Sequence, residues 1–458
     1  MPVAALCLVQ FIDVMGVTVV ITSLPDMLVD LGASVSSGSL VATGYAMFFG
    51  GLLMLGARLG DRYGNRLTIV VSLGVFAVAA VVAALAPSVA VLTAARCLQG
   101  AAAAASVPSA LKLLTTVTDP GAQRQGAIAA WSASGAMAGA TGFVVGGVLT
   151  DLTGWRTVFW VYVPLAVLLA VVIARVVPGD EDADRTLPLN VVGATLFTSA
   201  VMCFVLGTTL VTEPAPRLYG VALVAVSLLL VVGFVAVDSR AFAPLLPRSV
   251  LRLPQVSHGA TGGLLNTATT SGVVTLATLY LQDALGHSPL TAAAMLLPFS
   301  LAVIVGAAAA AAALRRWTER QVVALGLAVI GAADLLVIWG APSPWGLPAC
   351  VAFAGAGIGL SSVAATALGT SVEPDLRGTA SGIVNTTAQL GTALGITVLI
   401  VLAAATTGAP APAAPVPGPA WGATGVTALV GAAAFMLWNR RATARAVRHR
   451  TSAPPRTR

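Results

Sequence analysis

Apolar residues in this chain fall in long, nearly unbroken runs, with neither the strict alternation of strands nor a one-sided helical stripe. A membrane-spanning helix needs about 20 mostly apolar residues. With that ruler the 458 residues divide into fourteen runs. They cover 3–24, 38–57, 67–86, 90–112, 126–149, 157–177, 189–211, 218–237, 257–281, 290–313, 321–340, 346–368, 379–404 and 421–438. Backbone polar groups inside hydrocarbon must bond within their own segment, so each run is predicted to be a helix. The 257–281 run is rich in Thr and Gly.

The polar positions between the runs orient them. GARLGDRYGNR, Gly56 to Arg66, carries Arg58, Asp61, Arg62 and Arg66 between the second and third runs. A charge island of this kind belongs at a membrane surface. Placed in the cytoplasm, it puts Lys112, Arg124, Arg175, Arg185, Arg240, Arg248, Arg252, Arg315, Arg316, Arg320, Arg377 and the tail arginines on the same side. The opposite loops keep Arg156 and Arg217. That asymmetry is the one the positive-inside rule demands, with both termini cytoplasmic. Pro178 to Pro188, with Asp180, Glu181, Asp182 and Asp184, reads as a solvated acidic linker, and Thr406 to Pro419 as a Pro/Ala-rich outer loop. The tail beyond Trp438 is basic and suited to anionic lipid.

Composition agrees with the pattern. The chain is 57% hydrophobic and 9% charged, where a soluble domain carries about 25% charged residues. A polytopic membrane protein follows. The net charge of +7 is spread over loops and tail, which excludes a nucleic-acid-binding patch. Cys7, Cys97, Cys203 and Cys350 all lie in apolar runs without metal-ligand spacing and read as packing residues, so no metal is expected. No Walker A motif is present, so ATP is not expected to drive the protein directly. The first run begins almost at Met1 and is long enough to span, so it reads as a helix and not a cleaved signal. Its missing cytoplasmic lead suggests a shortened start. His258 and His287, near run ends, read as interfacial.

Three charges fall inside the runs. Asp13, Arg96 and Asp334 are expensive in hydrocarbon, at about 2.5–3.5 kcal/mol each on insertion scales, and each is a functional candidate by default. Arg96 either finds a buried partner or snorkels to the nearby surface. Asp334 is either a coupling or substrate-contacting group or a structural acid satisfied by a neighbouring helix. Tyr45, Trp131, Asn266, Asn385 and Gln389 are polar or aromatic within runs and are candidate substrate-cavity residues. A weak internal repeat relates Asp119–Gly142 to Glu373–Gly395: an acid–Pro pair, then Arg and Gly, then a helix with spaced glycines. Repeated halves about a central site are a transporter architecture.

Several of these segments resemble the major facilitator superfamily. In the Gly56–Arg66 stretch, Leu59, Asp61, Arg62, Gly64 and Arg66 match the loop between its second and third helices. That resemblance implies a gating loop that helps lock two halves together in the outward-facing state. Arg96, Gln99 and Gly100 match its R-x-x-Q-G in the fourth helix, where related proton-coupled antiporters link the Arg to proton transfer. Gly135, Gly139, Gly142, Gly146 and Gly147 resemble the antiporter glycine motif, with Ala138 and Phe143 standing where a Gly and a Pro are expected. The same glycines also suit close helix packing. FIDVMGVTVVITSLP, GWRTVFWVYVPLA and YLQDALGHSPLTAAAMLLP resemble segments of the fourteen-helix drug:proton antiporter branch. Gly16 occupies that branch's Asp position, with Asp13 one turn earlier on the same face, and Tyr162 replaces an Asn.

The expectation is therefore an all-α polytopic membrane protein with the major facilitator fold. Residues 1–177 and 257–438 would form two six-helix halves; 178–256 would hold a linker, two inserted helices and a cytoplasmic loop, and 439–458 a basic cytoplasmic tail. The resemblance implies no enzyme and no cofactor, but proton-coupled efflux of amphipathic small molecules such as antibiotics, across the bacterial inner membrane, by a monomer. Asp13, Arg96 and Asp334 would serve proton coupling. The alternatives are a transporter of one specific metabolite and a non-transporting sensor or scaffold.

Overall fold

The computed structural model describes residues 1–33, 35–119, 122–179, 185–211, 217–242, 244–340, 343, 345–373, 376–407 and 418–451. The acids of the 178–188 linker, the centre of the Pro/Ala-rich loop and the side chains of the basic tail lie outside the described residues. The described chain is helical: α1 (Pro2–Asp30), α2 (Val35–Tyr63), α3 (Asn65–Ala84), α4 (Val89–Thr116), α5 (Ala122–Thr153), α6 (Trp155–Val176), α7 (Val191–Val211) and α8 (Arg217–Asp238). A short α9 (Arg248–Leu251) precedes α10 (Pro254–Leu279), which runs into a π-helical turn, Tyr280–Ala284. Then come α11 (Pro289–Ala313), α12 (Glu319–Gly340), α13 (Gly346–Gly369), α14 (Arg377–Thr407) and α15 (Gly418–Thr451).

Among the described residues, twelve helices are long and apolar enough to cross a membrane. The runs 126–149 and 257–281, which complete the expected fourteen, lie in α5 and α10, outside that twelve. In α5 the apolar stretch found among the described residues is Met137–Thr153. The threonines and glycines of α10 lower its hydropathy without stopping the helix, because a Thr hydroxyl can bond back to its own helix. Thr275 and Thr278 donate to the carbonyls of Ser271 and Val274 at 2.9 and 3.0 Å.

Local chemistry sets the reversals. Gly64 (φ +94°) and Gly154 (φ +87°) take left-handed backbone between α2 and α3 and between α5 and α6, which favours glycine. The hydroxyls of Ser88 and Ser288 accept from the N–H of Val91 and Thr291 at 3.4 and 3.2 Å, capping α4 and α11. Pro289 follows at the first position of α11, where a missing N–H costs nothing.

The helices pack as two groups with the same internal pairing. In the first, α1 lies on α5, α4 on α2 and α3, and α6 on α3. In the second, α10 lies on α14, α13 on α11 and α12, and α15 on α12. Each helix of the first group thus has a counterpart nine elements later. The helices α5 and α14, which carry the weak sequence repeat, hold equivalent places. The groups join along two seams that exchange under the same correspondence, α5 against α11 and α2 against α14. Helices α7 and α8 pair with each other, and α7 lies against α2 and α14. The base of that pair is tied by Asp238, whose carboxylate accepts from Asn190 Nδ2 at 2.8 Å and from the N–H of Leu245 and Leu246 at 2.6 and 3.1 Å.

Candidate functional site

The densest buried polar chemistry lies in the first group, where α1, α2, α4 and α6 meet. Asp13 on α1 is 6% exposed, Tyr45 on α2 is 0% exposed and Arg96 on α4 is 1% exposed. The Tyr45 hydroxyl donates to Asp13 Oδ1 in a short contact. The Arg96 guanidinium lies over the Tyr45 ring, 4.6 Å from its centroid, and Arg96 Nη1 donates to Gln99 Oε1 at 2.9 Å. Acid and base are thus joined through one phenol, hydrogen-bonded on its oxygen and cationic on its face. Burial settles the alternatives for Arg96: its guanidinium stays inside the bundle and does not snorkel to the surface. Arg96 Nε and Nη2, Gln99 Nε2 and the Tyr162 hydroxyl are buried without a hydrogen-bond partner among protein atoms, so the centre retains capacity to bind.

Small residues make this approach possible. A Cβ on Gly100 would strike the Tyr45 carbonyl oxygen, with Tyr45 C and Cα at 2.9 and 3.0 Å, so only glycine lets α4 lie this close to α2. Gly16 opens on the same pocket: a Cβ there would lie 3.9–4.0 Å from Phe76, Tyr162 and Tyr45. Positions 13 and 16 therefore address one ring, Tyr45. Tyr162 on α6 stacks edge-on against Phe76 on α3, centroids 5.6 Å apart, and closes the pocket. Sequence reasoning missed the part played by Tyr162 and Phe76; the one signal was Tyr162 replacing an Asn in the resembling segment.

The glycines of α5 separate by neighbour. Gly142 and Gly146 press on α1: a Cβ on either would run into the hydroxyl of Thr18 or Thr22, with Met15 O at 3.1 Å and Val19 O at 2.7 Å. Gly147 faces α11 instead, on the seam between the groups: a Cβ there would lie 2.5 Å from Ala293 Cβ and 2.9 Å from Pro289 O. Phe143 sits on the same seam, edge-on to Phe299 of α11 at 6.4 Å. A Cβ on Gly135 would meet the flexible Gln10 side chain at 3.2 Å, and one on Gly139 would find nothing within 4 Å.

The Gly56–Arg66 stretch forms the end of α2 and the turn into α3. Asp61 pairs with Lys112 of α4 at 2.6 Å; both are partly exposed. Arg62 Nη1 donates to the Leu187 carbonyl at 2.8 Å and Arg66 Nη1 to the Val177 carbonyl at 3.3 Å. These arginines therefore hold both ends of the linker that leads to α7. Leu59 is half-buried beside them, and Gly64 supplies the positive-φ turn.

The other candidates lie apart. Asp334 of α12 is 0% exposed inside the second group, facing Thr424 of α15. Asn266 of α10 is also 0% exposed, with both amide atoms unpartnered among protein atoms. Trp131 of α5 belongs to the buried cluster of the first group. Gln389 of α14 packs on Gly50 of α2 at the seam, and Asn385, one turn away, is exposed. His258 stacks on Trp438 at 4.2 Å, at the bundle end.

Two pseudo-equivalent six-helix groups, the first enclosing a buried acid–phenol–guanidinium centre, define a membrane transporter. The pattern of the Major Facilitator Superfamily matches residues 6–396 and 259–456, and the chain belongs to that superfamily. It is 34% identical over 444 residues to the cephamycin export protein CmcT of Amycolatopsis lactamdurans, covering 94% of this chain and 89% of the relative. It is 33% identical to the puromycin resistance protein pur8 of Streptomyces alboniger, covering 85% and 79%. It is 31% identical to the tetracenomycin C resistance and export protein of Streptomyces glaucescens, covering 85% and 73%. Among solved structures, the human organic anion transporter MFSD10 (TETRAN) shares the fold, with a TM-score of 0.64 over 94% of this chain and 98% of that one at 16% identity.

Proposed function

We propose that this multi-pass membrane protein exports antibiotic-like small molecules in exchange for protons, by alternating access of its two six-helix groups. The observation that carries the reading is the buried joining of Asp13, Tyr45 and Arg96 on three helices. A carboxylate inside a span is retained where it carries charge or binds it. Asp13 would take a proton from outside, with Tyr45 as its hydrogen-bond partner, and release it inside. Each charge carried inward is worth about 2.3 kcal/mol per 100 mV, enough for concentrative export without a cofactor. The basic loops favour a cytoplasmic setting for the Gly56–Arg66 end and both termini, and the bacterial inner membrane is the proposed location, with the monomer as working unit. Asp334, enclosed away from this centre, is the second candidate proton carrier.

The curated relatives reported above are each named for a single compound, which favours one antibiotic class as substrate over unrestricted multidrug export. The test is efflux of a panel of antibiotics and dyes from cells with and without an uncoupler. It is followed by pH-gradient-driven transport in vesicles for Asp13→Asn and Asp334→Asn. Asp13→Asn is expected to abolish coupled export. Full coupled export by both variants would end the proton-carrier assignment.

A further inference from the structure

At the bundle end away from the Gly56–Arg66 loop, a polar contact joins the two six-helix groups. Gln282 Nε2 donates to the Thr22 carbonyl of α1 at 2.8 Å. Gln282 is 9% exposed, and its Oε1 is buried without a hydrogen-bond partner among protein atoms. The contact lies beside a dry cluster that also crosses between the groups, with Ile21 and Phe143 from one side and Leu276, Tyr280 and Leu296 from the other. A hydrogen bond in such surroundings is electrostatically stronger than one in water.

Its two ends differ in firmness. Beside Thr22, Ser23 of α1 bonds Thr150 of α5 at 2.7 Å, and the Thr22 hydroxyl donates to Val19 O at 3.0 Å beneath Gly146, so Thr22 is fixed to the first group. Gln282 instead stands on the π-helical turn, where Leu285 N–H reaches back five residues to Tyr280 O at 3.1 Å. The turn ends at Gly286, φ +68°. A π turn holds one residue more than an α turn, and such bulges gather at functional sites. Relaxing it to α geometry would rotate its residues by about 100°, swinging Gln282 off Thr22 while α10 stays intact.

We propose that Gln282 is a positioning residue for export: its bond to Thr22 holds the outer end of the bundle shut, and the π turn beneath it is the hinge that releases it. The proposal takes the alternating-access reading as given, but its test needs neither substrate nor protons, so it stands or falls apart from proton coupling. Spin labels are placed at Leu85 and Trp345, exposed sites on opposite groups at this end, in a chain whose four cysteines are replaced by alanine. The distance distribution is then compared with that of Gln282→Met and Gln282→Glu, both near-isosteric and lacking the amide donor. Losing one hydrogen bond is expected to raise the ratio of open to shut outer ends about three- to tenfold. Either variant, monodisperse and folded, suffices for the measurement. An unchanged distribution would overturn the proposal, including the case where only thermal stability falls, since that marks a purely structural side chain.

Discussion

Gly100→Ala tests whether the approach of α4 to α2 builds the Asp13 centre. The added methyl meets backbone atoms of Tyr45, which cannot rotate away, so the helices themselves must separate. Alanine gains about 0.8–1 kcal/mol of helix propensity over glycine. Against this stands an overpacking cost of about 1–3 kcal/mol. Displacing Tyr45 also weakens a hydrogen bond to a charged group, worth about 1.5–3 kcal/mol. The net expectation is a loss of about 1.5–5 kcal/mol. Gly139→Ala is the matched control, since nothing lies within 4 Å of its added carbon, and it should gain up to about 1 kcal/mol. Both variants are unfolded in mild detergent against wild type, and export is measured in vesicles. Gly100→Ala should be less stable and should lose coupled export; Gly139→Ala should keep both. If the two variants unfold together, or Gly100→Ala transports normally, the close approach at Tyr45 is not what assembles the centre.

Tyr45→Phe keeps the ring beneath Arg96 but removes the donor to Asp13; it should impair pH-gradient-driven export while leaving expression near wild type, as read by vesicle transport and by gel filtration. Lys112→Ala breaks an exposed pair with Asp61 and should cost less than about 1 kcal/mol in detergent unfolding; a larger loss would mean that the loop depends on this pair for more than surface charge. Asp238→Ala leaves the N–H groups of Leu245 and Leu246 without their carboxylate and should cost about 2 kcal/mol, with protease accessibility rising between α8 and α9.

The class of protein was legible in the one-dimensional pattern. Hydrocarbon admits few charges and no unpaired backbone, so long apolar runs specify membrane helices, and one-sided arginines predict an orientation, before any packing is known. The same constraint singled out Asp13, Arg96 and Asp334, because charge inside a run needs a reason. Spaced glycines marked close contacts, but spacing cannot say with whom: Gly142 and Gly146 meet α1, Gly147 meets α11, and Gly139 meets nothing. Which charges work together was likewise decided by the tertiary structure. Asp13 and Arg96 lie 83 positions apart and meet only because α2 carries Tyr45 between them, whereas Asp334 is enclosed in the other group. Gln282, quoted in sequence only as part of a resembling segment, gained its role from a partner 260 positions away. Hydropathy is a property of each residue and its neighbours in sequence, so it reads straight off the chain. Pairing is a property of helices brought side by side, and it enters only when the bundle closes.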